Sequence, residues 1–147
     1  MEGSFTLPRE GSTSDPLRIA VLISGGGSGL ASILAYESLE PRSFHTVLVL
    51  ADSDEAGGLD HARKAGIDSI GIPLPRIVDK KEQRLKHEDL VHEQLENYNT
   101  ELIVLAGYMR IFTPVFVEKW KGRLINIHPS LLPKYPGAHA HRDALAD

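Results

Sequence analysis

The 147-residue chain contains no cysteine. That excludes disulfides, thiolate catalysis and cysteine-ligated zinc, and it fits a reducing compartment, so a cytoplasmic location is expected. No apolar run approaches the roughly 20 residues that span a bilayer, which argues against a membrane partner. Surplus positive charge is also missing: 16 Lys and Arg stand against 20 Asp and Glu, a net charge of −4. A dedicated nucleic-acid binder needs the opposite balance to neutralise phosphates. Aromatic residues make up only 6%. What is present is ordinary for a folded domain, with 41% hydrophobic and 24% charged residues, enough for one core.

Residues 1–16 are rich in Gly, Ser, Thr, Pro and mixed charge, with Phe5 and Leu7 the sizeable apolar side chains. They show no apolar core segment or Arg-rich amphipathic pattern of a targeting peptide, and a flexible N-terminal tail is expected. From residue 17 the pattern changes. Leu17–Ile23 is a near-continuous apolar run, the mark of a parallel strand covered on both faces. A glycine-rich turn, Ser24–Gly29, leads into a helix from Ser28 carrying Leu30, Ile33 and Leu34 on one side.

Further strands are expected at Thr46–Leu50, Ile67–Leu74, Glu101–Ala106 and Arg123–Ile127. Helices are expected at Gly57–Ala65, Asp79–Asn97 and Pro114–Trp120, and a short one at His141–Ala146. Gly66 should stop the second helix from the C′ position. On the long polar helix, Arg84, Val91, Leu95 and Tyr98 form one stripe, while His87, Glu88 and His92 read as solvated surface. Strands alternating with helices call for an α/β domain over 17–147: an open, mostly parallel sheet with helices on both faces.

Ligands of such sheets bind beyond the carboxyl ends of the strands. Three segments leave those ends with unusual residues. The turn Gly27-Ser28-Gly29 opens a helix, so unpaired backbone N–H groups and the positive end of the helix dipole meet there as a candidate anion site. It lacks the third glycine of a dinucleotide fingerprint, since Leu30 stands there, and no Gly-Lys-Ser/Thr follows. Glycines serving only a tight turn are the competing reading. At the last strand, Asn126 and His128 are two residues apart and therefore share a face. An amide donor beside an imidazole suits acyl transfer: the imidazole manages a proton and the amide holds an oxyanion. The run Gly107-Tyr108-Met109-Arg110-Ile111-Phe112 offers a slot for a flat aromatic ligand, and by itself equally suits packing beneath a loop.

Metal binding is not expected. His87 and His92 are five apart, about 140° around a helix of 3.6 residues per turn. His128, His139 and His141 lack a carboxylate or cysteine to complete a set.

Three motifs carry a resemblance: Ile23-Ser24-Gly25-Gly26-Gly27-Ser28-Gly29-Leu30, Leu105-Ala106-Gly107-Tyr108-Met109-Arg110-Ile111, and Asn126-Ile127-His128-Pro129-Ser130-Leu131-Leu132-Pro133-Lys134-Tyr135-Pro136-Gly137. From about Leu17 onward the chain resembles the folate-dependent formyltransferases, in particular the phosphoribosylglycinamide formyltransferases. The resemblance implies glycinamide ribonucleotide and 10-formyltetrahydrofolate as small-molecule substrates, the folate being a co-substrate. It implies ribonucleotide phosphate at Gly27, Ser28 and Gly29, and formyl-folate at Arg84, Met109, Arg110, Ile111, Phe112 and Asn126. It implies His128 and Asn126 as catalytic residues.

The chain departs from the family pattern at Gly29, where Asn is usual, at Gly26, and at Ala51-Asp52, where Ser-Asn is common. The family pattern also implies an Asp assisting the histidine, and further strands, beyond residue 147. On that expectation the chain alone is an inactive truncated product or a non-catalytic ligand-binding module. A related formyl hydrolase is a further alternative, against which the Lys134-Tyr135-Pro136-Gly137 continuation argues.

Overall fold

The computed structural model describes residues 7–127. Their elements alternate: β1 (Leu17–Ile23), α1 (Ser28–Leu39), β2 (Phe44–Ala51), α2 (Leu59–Lys64), β3 (Ser69–Gly71), α3 (Lys80–Asn97), β4 (Leu102–Ala106), α4 (Pro114–Lys119) and β5 (Leu124–Ile127). The five strands form one sheet in the order β3-β2-β1-β4-β5, parallel at every pairing. His128 and the helix expected at 141–146 lie outside the described residues.

Side-chain alternation divides the core in two. Ile19, Val21 and Ile23 of β1 pack with Leu30 of α1 and with Leu59 and Ala62 of α2. Ala20 and Leu22 point the other way, toward Val91 and Leu95 of α3 and Phe116 and Trp120 of α4. Helices therefore cover both faces, as the apolar runs require, since neither side of β1 meets water. Full burial of each Leu, Ile or Phe contributes ~1.5–3 kcal/mol.

Helix ends follow local chemistry. Gly66, at φ 75°, ends α2. Its N–H donates to the Arg63 carbonyl and that of Ile67 to Ala62, the paired bonds of a Schellman motif. The Asp79 carboxylate caps α3 by accepting from the Glu82 N–H at 2.9 Å. Pro114 opens α4, where its missing N–H costs nothing.

Three expectations change. The third strand is three residues, not Ile67–Leu74, because Ile67 is engaged in the α2 cap and Pro73 and Pro75 have no N–H for a ladder. The inward side of α3 is His87, Glu88, Val91 and Leu95, so His87 and Glu88 are buried rather than solvated. His87 Nε2 lies 2.7 Å from the Ile72 carbonyl oxygen, and Glu88 accepts from Thr113, which satisfies both polar groups. Finally, residues 7–16 of the expected tail are docked. The Arg9 guanidinium bonds both Glu101 carboxylate oxygens, at 2.6 and 3.1 Å, and Gly11 lies so close to Ser43 and Leu17 that no Cβ fits.

Candidate functional site

The strand order reverses direction at β1. The chain moves outward through β2 and β3 on one side, then crosses to β4 and β5 on the other. The connections leaving the carboxyl ends of the paired strands β1 and β4 thus run to opposite faces of the sheet, toward α1 and α4, leaving the crevice where open sheets bind ligands. Two cavities occupy this edge.

The first, about 290 Å³, is lined by the whole Ser24–Gly29 turn together with Ala106, Gly107 and Met109. Gly27 is the N-cap of α1 in left-handed conformation, φ 74°. No side chain caps this end and no acid occupies its first turn. The first helical bond runs from the Ala31 N–H to the Gly27 carbonyl, so the Ser28, Gly29 and Leu30 N–H groups have no partner within the helix. With the helix dipole, they make the turn electropositive.

The shape of the turn comes from a second glycine pair that sequence reasoning passed over. The Gly58 N–H donates to the Gly25 carbonyl at 2.9 Å. A Cβ on Gly27 would lie 2.7 Å from the Gly58 Cα, and one on Gly58 would lie 2.5 Å from Ile23 Cδ1. Backbone meets backbone here, which only glycine permits. Above Gly25 and Gly26 the space is open.

The second cavity, about 350 Å³, lies on the α3 face and is lined by Leu74, Arg84, His87, Glu88 and the run Met109–Phe112. Arg84 is an exposed residue whose guanidinium donates to the Ile111 carbonyl at 2.9 Å. The Met109 N–H donates to Ser24 Oγ at 2.7 Å, which joins the two cavity walls. Met109 and Ile111 are 78% and 82% exposed, so they are not packed beneath the loop but present apolar surface to solvent. Phe112 turns inward and stacks on Phe116, centroids 4.0 Å apart, and on Tyr108. Burial pushes the Tyr108 phenol well above its ordinary range, the charge of Asp52 adding to the effect, so it remains a neutral hydroxyl.

Asn126 sits in β5 opposite Leu105 and is exposed. Leu105 and Leu124 pack on the α3 side and Ile125 and Ile127 on the other, so alternation turns Asn126 toward the α3 side, where the second cavity lies. His128 follows two residues later, outside the described residues. The histidines of α3 serve different partners: His87 meets the Ile72 carbonyl, while His92 Nδ1 accepts from the Trp120 indole at 3.0 Å. Among the described residues no group of three metal-ligating side chains converges. No described helix is long and apolar enough to cross a membrane.

The structure thus brings Gly27, Ser28 and Gly29 to one cavity, and Arg84, Met109, Arg110, Ile111 and Phe112 to its neighbour, with Met109 common to both. Sequence reasoning missed His87, Glu88 and Gly58. Only Gly58, in a glycine pair at the start of a helix, leaves a local sign.

Known proteins with this pattern agree among themselves. Residues 17–147 match the family described as formyl transferase. The phosphoribosylglycinamide formyltransferase of Escherichia coli K12 is 43% identical over 129 residues, which span 88% of this chain and 59% of that protein. The trifunctional purine biosynthetic protein adenosine-3 of Bos taurus is 41% identical over 87% of this chain, which corresponds to 12% of its own length. The chain therefore spans less than two thirds of these relatives. Among solved structures, the phosphoribosylglycinamide formyltransferase of Brucella melitensis superposes with a TM-score of 0.71 at 36% identity, covering 90% of this chain and 67% of that one. The chain belongs to the formyl transferase family, among proteins named phosphoribosylglycinamide formyltransferase.

Proposed function

We propose that the protein transfers the formyl group of 10-formyltetrahydrofolate to the amine of glycinamide ribonucleotide, a step of de novo purine biosynthesis, in the cytoplasm. The observation that supports this most is the adjacency of two unlike cavities sharing Met109. One is rimmed by free amides suited to a phosphate; the other sets apolar Leu74, Met109, Ile111 and Phe112 beside Arg84, Arg110, His87 and Glu88, a mixed lining suited to a flat, polar-edged, folate-like ring system. A transferase between a phosphorylated amine and a heteroaromatic donor needs that arrangement.

In this reading Gly27, Ser28 and Gly29 hold the ribonucleotide phosphate through backbone N–H groups. Arg84, Met109, Arg110, Ile111 and Phe112 hold the formyl-folate. The amine nitrogen attacks the formyl carbon, and Asn126 donates to the oxygen that gains charge. His128 takes the proton from the attacking nitrogen and returns one to the folate nitrogen as its bond to carbon breaks. The transfer so written draws on no metal and treats the folate as co-substrate.

The test is formyl transfer by the full-length protein with both substrates. His128→Ala and Asn126→Ala should each lower turnover by at least about 10²-fold, the scale of losing a proton carrier or an oxyanion donor. Dissociation constants should change much less for His128→Ala. A protein that binds both substrates tightly without turnover is a binding module, and near-normal turnover in His128→Ala removes that residue from the chemistry.

A further inference from the structure

The stretch from Gly107 to Thr113 has no regular secondary structure, yet it forms the wall between the two cavities. Alternate residues of it are tied to the end of β1 and to α3. Met109 N–H bonds Ser24 at the end of β1, the Ile111 carbonyl accepts from Arg84 of α3, and the Thr113 N–H donates to Glu88 of α3. Between these, Arg110 Nε donates to Asp52 Oδ2 at 3.2 Å.

This last tether differs from the rest in reach and in charge. Asp52 is the first residue after β2, and β1 lies between β2 and β4 in the sheet. The ion pair therefore crosses the end of β1, where the glycine turn begins. The Asp52 side chain is 12% exposed and that of Arg110 44%. A carboxylate so sheltered from water depends on its partner. Stripped of Arg110, it would set a bare negative charge beside a turn whose free N–H groups favour anions.

We propose that Asp52 is a positioning residue: through Arg110 it fixes the wall shared by the two cavities, while Arg110 cancels its charge beside the glycine turn. The proposal rests on the two-ligand reading above. The pair thus does two separable things, ordering the 107–113 wall and neutralising the rim of the first cavity. Asp52→Asn removes the first and leaves the second, because no uncompensated negative charge remains. Arg110→Gln removes both.

Hydrogen exchange of the 108–112 amides and calorimetric binding of each substrate, in the full-length protein, separate these roles. Asp52→Asn should speed exchange in the wall and weaken 10-formyltetrahydrofolate by up to about fivefold, the scale of one partly sheltered ion pair, with ribonucleotide affinity held or raised. Arg110→Gln should weaken ribonucleotide by a similar factor, an effect that shrinks as salt rises. Asp52→Asn combined with Arg110→Gln should recover ribonucleotide affinity while folate affinity stays low. A merely structural pair would lower both affinities alike in both single variants, and that result overturns the proposal. So does Asp52→Asn with unchanged wall exchange. If the unaltered protein binds neither substrate, the function proposed above fails. The exchange arm still decides whether Asp52 orders the wall.

Discussion

The glycine turn at 24–29 and the wall at 107–113 lie on the same edge of the sheet and border the same crevice, but they are held in opposite ways. The turn is fixed by its own backbone: a left-handed Gly27, a Gly58 N–H on the Gly25 carbonyl, and two Cα atoms too close for any side chain between them. The wall has little backbone bonding of its own and hangs from the side chains of Ser24, Asp52, Arg84 and Glu88. A turn built by exclusion tolerates no added atoms. A wall built from tethers tolerates the loss of one and loosens by degrees.

The largest effect should come from breaking the turn. Gly27→Val combines a β-branched residue at positive φ, roughly 1–3 kcal/mol, with overpacking against Gly58, typically ~1–3 kcal/mol more. Denaturant unfolding should register a loss of several kcal/mol, and ribonucleotide binding should fall far more than folate binding in the molecules that remain folded. A stable Gly27→Val protein with unchanged ribonucleotide affinity would show that the close backbone packing is incidental.

Cutting one tether of the wall should cost less. Glu88 is 6% exposed and accepts from both the N–H and the hydroxyl of Thr113, the residue that precedes α4 at its N-cap. Glu88→Ala leaves two part-buried donors unmatched, a penalty of ~1–3 kcal/mol, and lines the second cavity with one polar group fewer. Unfolding should shift by that amount, with exchange rising at Thr113 and the start of α4 while the glycine turn stays protected. Glu88→Gln keeps one acceptor and should fall between. Equal deprotection of turn and wall would mean that the two regions are one unit, contrary to the comparison.

The same contrast explains what could be read in the sequence. Parallel strands show as apolar runs because both faces are covered, so β1 was legible to the residue at Leu17–Ile23. Gly66 and the Gly27 turn were legible because their backbone conformations restrict residue choice to glycine. The wall's supports were not. Glu88 meets Thr113 25 residues away, Arg110 meets Asp52 58 away and Met109 meets Ser24 85 away. His87 and Glu88 looked like helix surface because polar side chains are usually exposed and are buried only where a partner satisfies them, and here the partners, Ile72 and Thr113, lie elsewhere in the chain. The amphipathic reading did place Val91 and Leu95 inside, because the helical period is local information, but Arg84 of the same stripe is exposed and meets the Ile111 carbonyl instead of the core.

The smallest effect concerns the opposite, amino ends of β1 and β4 and should leave both turn and wall untouched. Arg9 clasps Glu101, and Arg18 adds its own N–H at 2.9 Å and its guanidinium at 3.4 Å. The hydrogen bond from Arg9 is the chief reason that the Glu101 carboxyl is held below the ordinary range; burial opposes it, and the Arg18 N–H and the two positive charges reinforce it. A carboxyl whose folded-state pKa is depressed stabilises the docked state at pH above its ordinary, undocked value. That contribution falls away as pH drops through the depressed value, where the docked carboxyl itself takes up a proton. Residues 7–16 should therefore stay docked at neutral pH and be released in acid. Their amide exchange, corrected for the intrinsic effect of pH, should rise only below the ordinary carboxylate range. Glu101→Gln should make exchange of this segment faster at neutral pH and flat with pH, with cavity ligands bound as before. The effect on overall unfolding should be slight, because an exposed pair of this kind is largely screened by water and salt. Release of the segment with the same pH profile in Glu101→Gln would assign the acid response to another group and leave Arg9–Glu101 without a role in docking.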